Sequence, residues 1–144
     1  MLPSDHMLYG GIISFIIYFI FPEIGFINLL ILLFSTFLLD IDHYFQYVYS
    51  KREWSISKAM VHSMDVGNIA KKNKKIKEPL MIFHTAEFLI LLFALSYLIN
   101  FFFYIFLGQL IHLLIDIYSS YRLGILHVRD FSIIRYIIRN QSRT

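Results

Sequence analysis

The chain has 144 residues, 58% of them hydrophobic and 16% charged, with a formal net charge of +3 and no cysteine. The length suits one domain, and a mean hydropathy of +0.63 lies far above that of an ordinary soluble protein. Without cysteine there is no disulfide framework, thiolate metal site or thiol nucleophile, so nitrogen and oxygen must hold any metal.

Four stretches approach or reach the roughly 20 apolar residues that a membrane-spanning helix needs. Residues 7–21 form the first, which Pro22-Glu23 stops. The second covers residues 24–47. The third covers 79–99, and Asn100 marks a tight turn before the fourth at 101–121. Nothing before the first stretch reads as a cleavable signal, since a basic n-region and a small-residue cleavage site are both missing. The joins around Pro22 and Asn100 are short, which predicts antiparallel neighbours. The expected fold is an all-α membrane protein: a four-transmembrane-helix antiparallel bundle forming a single integral membrane domain. A loop at 48–78 and a tail at 122–144 complete it.

The basic residues set the expected orientation. Lys51, Arg52, Lys58, Lys71, Lys72, Lys74, Lys75 and Lys77 lie between the second and third stretches, and Arg122, Arg129, Arg135, Arg139 and Arg143 follow the fourth. These are all of the Lys and Arg in the chain. The positive-inside rule then predicts a multi-pass protein of the inner or plasma membrane, with the loop and both termini cytoplasmic. The one-sided charge argues against a nucleic-acid partner. It favours anionic lipid head groups, to which each surface Lys adds on the order of 1 kcal/mol of attraction. Two further stretches, 55–70 and 128–138, read as amphipathic helices able to lie on the membrane.

The ionisable residues within the apolar stretches fall near the expected cytoplasmic ends. A charged side chain in hydrocarbon costs roughly 2.5–3.5 kcal/mol on insertion scales, so several at one depth point to a site. Asp40 and His43 are at i, i+3 and share a helix face, while Asp42 faces elsewhere. His84 and Glu87 repeat that spacing at the start of the third stretch. His62 and Asp65 also repeat it in the loop, so the spacing alone proves little. His112 and Asp116, at i, i+4, share one face of a helix otherwise made of leucine and isoleucine. His6 precedes the first stretch. Folded together, His6, Asp40, His43, His84, Glu87, His112 and Asp116 form a candidate metal set. It offers too many ligands for one tetrahedral zinc and suits two metals, or one metal and a base. Neutral imidazole and carboxylate suit Zn first, or Mn or Fe. Asp42 is the candidate general base, or a partner that orients a ligand.

The order of these motifs resembles the YdjM-type inner-membrane metal-dependent hydrolases. The resembling features are a His near the N-terminus, Asp40-Ile41-Asp42-His43, His84-Thr85 and His112-x-x-x-Asp116, over roughly residues 6–124. By that resemblance His6, Asp40, Asp42, His43, His84, His112 and Asp116 are metal-site positions. This chain has Leu39 where the family usually has Pro. It has Phe83-His84-Thr85-Ala86-Glu87 in place of the family's His-Arg-Gly…Thr-His-Ser stretch, so Glu87 is a candidate replacement ligand. The resulting expectation is a membrane-embedded metal-dependent hydrolase acting at the cytoplasmic lipid–water interface on a phospholipid or other amphiphilic phosphoester. The alternative is a non-enzymatic metal-binding, metal-transporting or structural membrane protein. A phosphatidic-acid phosphatase, which also uses His-x-x-x-Asp, is disfavoured because Pro-Ser-Gly-His is absent and every Lys and Arg falls outside the apolar stretches.

Overall fold

The computed structural model describes residues 3–72, 80–127 and 129–141, and the side chains of all of these except residues 3–6, 39, 67, 70 and 71. Seven α-helices and three short 3-10 turns make up the described residues, with no strand among them. The helices are α1 (Pro3–Ile20), α2 (Phe26–Ser35), α3 (Ile41–Lys51), α4 (Ile56–Lys72), α5 (Ala86–Ser96), α6 (Phe101–Arg122) and α7 (Ile133–Gln141).

Helix α6 is the centre, packed against α1, α2 and α5. Among the described residues it is also the one helix long and apolar enough to cross a membrane. It matches the fourth expected span almost residue for residue. The other three expected spans are shorter as helices. Apolar helix in the first runs from Met7 to Ile20, in the second only from Phe26 to Ser35, and in the third only from Ala86 to Ser96.

Each shortening has a local cause. The second span breaks after Ser35, where the hydroxyls of Ser35 and Thr36 bond back to the carbonyls of Ile31 and Leu33, both at 2.7 Å. Such back-bonding competes with the helical ladder. Helix resumes only at Ile41, after a 3-10 turn at Leu38–Asp40. The third span starts late because Thr85 is extended and caps α5, its Oγ1 accepting from the Phe88 N–H at 3.3 Å. The two stretches expected to be amphipathic are helical with shifted ends, as α4 and α7.

Among the described residues the deepest positions are mostly polar, and many large apolar side chains face outward. Ser14, Thr36, Thr85, Gln109, His112 and Asp116 are at most 1% exposed, whereas Phe19 is 88% exposed. Ile27, Ile90, Leu98 and Leu114 also face outward. Small residues let the helices approach closely. At Gly108, on the α6 face against α2, an added Cβ would meet Ser35 Cβ at 2.5 Å and the Leu32 carbonyl oxygen at 2.7 Å. One of those obstacles is backbone, so the clash cannot be relieved by a side-chain rotation. Gly108→Ala should therefore lower the thermal midpoint, with a cost of about 1–3 kcal/mol. An unchanged midpoint would mean that α2 and α6 are not in this close contact.

Candidate metal centre

The two breaks that shorten the apolar helices build the site. Because α2 ends at Ser35, the Thr36 carbonyl is turned to His112, whose Nδ1 lies 2.8 Å away. Because α5 starts late, residues 82–84 form a 3-10 turn that carries His84 inward, where it is 2% exposed. Asp42, in the first turn of α3, holds this turn through one oxygen. Its Oδ2 accepts from the Phe83 N–H at 2.6 Å and faces His84 Nδ1 at 3.4 Å. The amide of Gln109 donates to the Phe83 carbonyl from the other side.

These bonds fix the tautomers. A carbonyl and a carboxylate only accept, so both histidines carry a proton on Nδ1, and a neutral ring then directs a lone pair from Nε2. The two Nε2 atoms face each other at 2.8 Å. Two lone pairs at that distance repel unless a proton or a metal ion lies between them. Carboxylate oxygens close around the same pair. Asp40 Oδ1 is 3.7 Å from each Nε2, and Asp116 Oδ2 is 3.7 Å from that of His84 and 4.0 Å from that of His112. A tetrahedral ion with bonds of 2.0–2.1 Å keeps its ligand atoms about 3.3–3.4 Å apart, in the middle of this range. These buried His and Asp groups can therefore hold a metal ion, as two overlapping triads: Asp40, His43 and His84, and His84, His112 and Asp116. His84 belongs to both but has one nitrogen to give, because Asp42 takes the other.

The expected site residues separate under this geometry. Asp40, His43, His84, His112 and Asp116 come together. His43 Nε2 lies 3.9 Å from Asp40 Oδ1, and its ring stands edge-on to His84. Asp42 touches the ligand His84 and the backbone beside it. The side chain of His6 lies outside the described residues. Glu87 is directed away from the two triads: its carboxylate accepts from Ser132 Oγ at 2.6 Å and from the backbone N–H groups of Ile133 and Ile134 at 3.0 and 3.3 Å. It caps α7, where a carboxylate also suits the helix dipole. The spacing of His84 and Glu87 suggested a shared role, but α7 supplies the carboxylate's partners from 45 residues along the chain.

Arg129 was legible in the sequence only as a topology-setting charge, yet it enters the centre and pairs with Asp116. Its side chain is 15% exposed and that of Asp116 2%. A chain reversal brings it there. Gly124 has φ +68°, which favours glycine, and the Ile125 N–H donates back to the Ser120 carbonyl at 2.9 Å. Beyond Arg129 the strand of chain is tied down by Ala86 N–H donating to the Phe131 carbonyl at 2.9 Å and by Asp130 pairing with Arg139. Thr36 and Gln109 also escaped the sequence reading, since neither residue type is a metal ligand and only the fold gives them their roles.

Comparison with protein-family models, with curated proteins and with solved structures gives no match to this chain.

Two substitutions separate the roles. Asp42→Asn should weaken zinc binding about 10–100-fold, the usual cost of losing the partner that orients a ligating histidine, measured by competition with a chelating dye. Glu87→Ala should loosen α7 by about 0.5–2 kcal/mol, as loss of a cap does, seen as faster amide exchange in Ile133–Arg135. Its zinc affinity should stay at the wild-type value. A Glu87→Ala protein that loses zinc with α7 still protected would return Glu87 to the ligand set.

Proposed function

We propose that this chain is a membrane-embedded hydrolase that uses one divalent metal ion, held by His84, His112 and Asp116, to cleave an amphiphilic phosphoester. The observation that carries this reading is the pair of opposed Nε2 atoms at 2.8 Å with carboxylate oxygens converging on them. Two imidazoles and a carboxylate from the protein, with a further position open, are the donor set of a catalytic rather than a purely structural zinc site. Nitrogen and oxygen donors also suit Mn or Fe.

The open side is the one bordered by Asp40 and His43, which line a cavity of about 1230 Å³. A divalent ion there would supply Lewis acidity, lowering the pKa of water towards neutrality and polarising a phosphoryl oxygen. Asp40 Oδ1 is placed to accept the water proton, with His43 next in line at 3.9 Å. The water oxygen forms the new bond to phosphorus. The bond from phosphorus to the ester oxygen breaks, and that oxygen would leave as the alcohol with the proton that Asp40 took from the water. Asp42 keeps His84 Nε2 turned towards the ion. Its single hydrogen-bonding oxygen already serves Phe83 and His84, which suits orientation better than proton transfer.

The membrane setting draws support from the mostly polar deepest positions, from the outward apolar side chains of α1, α2, α5 and α6, and from the span-length α6. Helices α1, α2 and α5 pack beside or around α6 and would enter the bilayer with it as a multi-pass unit. Its orientation would place the basic loop and both termini in the cytoplasm. The motif order shared with YdjM-type hydrolases points the same way. A non-catalytic metal-binding bundle is the second reading, favoured by the Arg129–Asp116 pair, which already neutralises one ligand within the fold.

Full-length protein purified in neutral detergent should retain zinc after dialysis and hydrolyse a member of a phospholipid and alkyl-phosphate panel. His112→Ala should lose both, with zinc affinity falling at least about 100-fold, beyond the loss expected for an orienting partner. Asp65→Asn, exposed on α4, should keep both. His62 is a poorer control than its place in the loop suggests, because it stacks on Tyr47 and lines the cavity. Zinc retained without turnover would favour the non-catalytic bundle, and no zinc in a folded protein would end the metal reading. For topology, a reporter fused after Thr144 should read as cytoplasmic.

A further inference from the structure

The cavity beside the metal centre has two kinds of wall. At the centre's edge stand Asp40, His43 and Arg129, with Arg122 also on the lining. Elsewhere the wall is largely apolar, with Ile13, Tyr44, Met60, Ile115 and Tyr118 contributed by α1, α3, α4 and α6. At about 1230 Å³ it exceeds the roughly 300–1,000 Å³ typical of pockets for small ligands, so it has room for more than a polar head group.

Arg129 sits where these walls meet. It is the cationic side chain seen both in contact with a candidate ligand, Asp116, and on the cavity lining. A lysine would satisfy Asp116 as a point charge. The planar guanidinium brings five N–H donors, and its fork matches the oxygens of a phosphate. One such group can serve a carboxylate and a phosphoryl oxygen together. The segment that delivers it is secured on both sides, by the reversal at Gly124 and by the ties of Phe131 and Asp130. An arginine meant only to set topology needs none of this anchorage.

We propose that Arg129 binds the phosphate of the substrate while the adjoining cavity takes its hydrocarbon chain, so that the ligand is a lipid phosphate monoester. Turnover of that ligand rests on the metal-dependent reading above, but its binding does not. The phosphate would bridge the position beside Asp40 and the guanidinium, and the alcohol end would extend between α3, α4 and α6. The guanidinium fork at one end and an apolar wall at the other select a lipid phosphate over both a neutral lipid and a free anion.

The test uses the full chain in neutral detergent with hexadecylphosphonate, whose carbon–phosphorus bond is not hydrolysed. Inorganic phosphate and hexadecanol are the two reference probes. Hexadecylphosphonate should bind at least about tenfold more tightly than either, a difference of about 1.4 kcal/mol. Arg129→Gln should reduce its affinity to that of hexadecanol while the protein still retains zinc. Arg129→Lys keeps the charge and the pairing with Asp116 but lacks the fork, and should lose about fivefold. This second variant decides the matter if Arg129→Gln fails to fold. Met60→Trp, narrowing the cavity, should weaken hexadecylphosphonate but not inorganic phosphate. The proposal is overturned if Arg129→Gln or Arg129→Lys binds hexadecylphosphonate as wild type does. It is also overturned if inorganic phosphate or hexadecanol binds equally well, or if Arg129→Gln loses zinc, which would make the arginine a support for Asp116. Selective phosphonate binding in a protein that retains no zinc would uphold Arg129 and refute the metal centre, and zinc retention without selectivity would do the reverse.

Discussion

Two imidazole nitrogens facing each other at 2.8 Å constrain the rest of this molecule. Their tautomers are set from outside, by a carbonyl at Thr36 and a carboxylate at Asp42, so neither ring can turn its N–H to the other without giving up a buried bond. A buried acceptor left facing another acceptor costs on the order of 1–3 kcal/mol. Something positive has to stand between or beside them. Asp40 and Asp116 add negative charge at the same place, and Arg129 answers part of it. Three carboxylates, with Asp42, against one guanidinium leave an excess of two negative charges among these groups, the charge that a divalent ion would balance.

Around that constraint, apolar side chains such as Leu29, Leu92 and Leu113 are buried together with polar ones. Among the described residues, those at most 1% exposed are Leu32, Ser14, Thr36, Thr85, Gln109, His112 and Asp116. Close packing and interhelical hydrogen bonds are the interactions by which helices associate in hydrocarbon. The contact of Gly108 with Ser35 and the Leu32 carbonyl and the bond from Gln109 to the Phe83 carbonyl are interactions of those two kinds. The same feature explains why the expected spans are cut short. The two breaks turn backbone groups towards polar partners: Thr36 to His112, Phe83 to Asp42 and Gln109, and Ala86 to the Phe131 carbonyl. Irregular backbone is tolerated at membrane depth where it is buried in protein.

What the sequence revealed and what it hid follow from the range of each signal. Hydropathy and one-sided charge are read over windows of about 20 residues, so α6 was legible to within a residue or so. The breaks at Thr36 and Thr85 were not, because a single hydroxyl inside an apolar run barely changes a window average. The i, i+3 and i, i+4 spacings put Asp40 with His43 and His112 with Asp116, since Asp40 keeps helical backbone angles at the head of α3 and the second pair lies within α6. The same rule misplaced Glu87 beside His84, because Thr85 between them is extended and turns the chain out of the helical path. Arg129 was hidden for a different reason. Its position depends on the reversal at Gly124 and on ties to α5, which are contacts across more than 40 residues that no local pattern encodes.

Glu87 and Arg129 are consequently two ends of one device. The carboxylate that seemed to belong to the metal set instead holds the start of α7. The arginine that seemed to belong to the tail instead enters the metal set. Between them, Phe131 bonds to Ala86 at the head of α5, two residues after His84. The segment that carries Arg129 is thereby fastened to the helix adjoining a candidate metal ligand. A shift of α5 that displaced His84 would pull on Phe131 and Glu87, and through them on Arg129 and its contact with Asp116. The head of α5, the start of α7 and the Arg129–Asp116 pair are thus joined. That joining gives a physical reason for the chain to hold a half-buried guanidinium against a buried carboxylate.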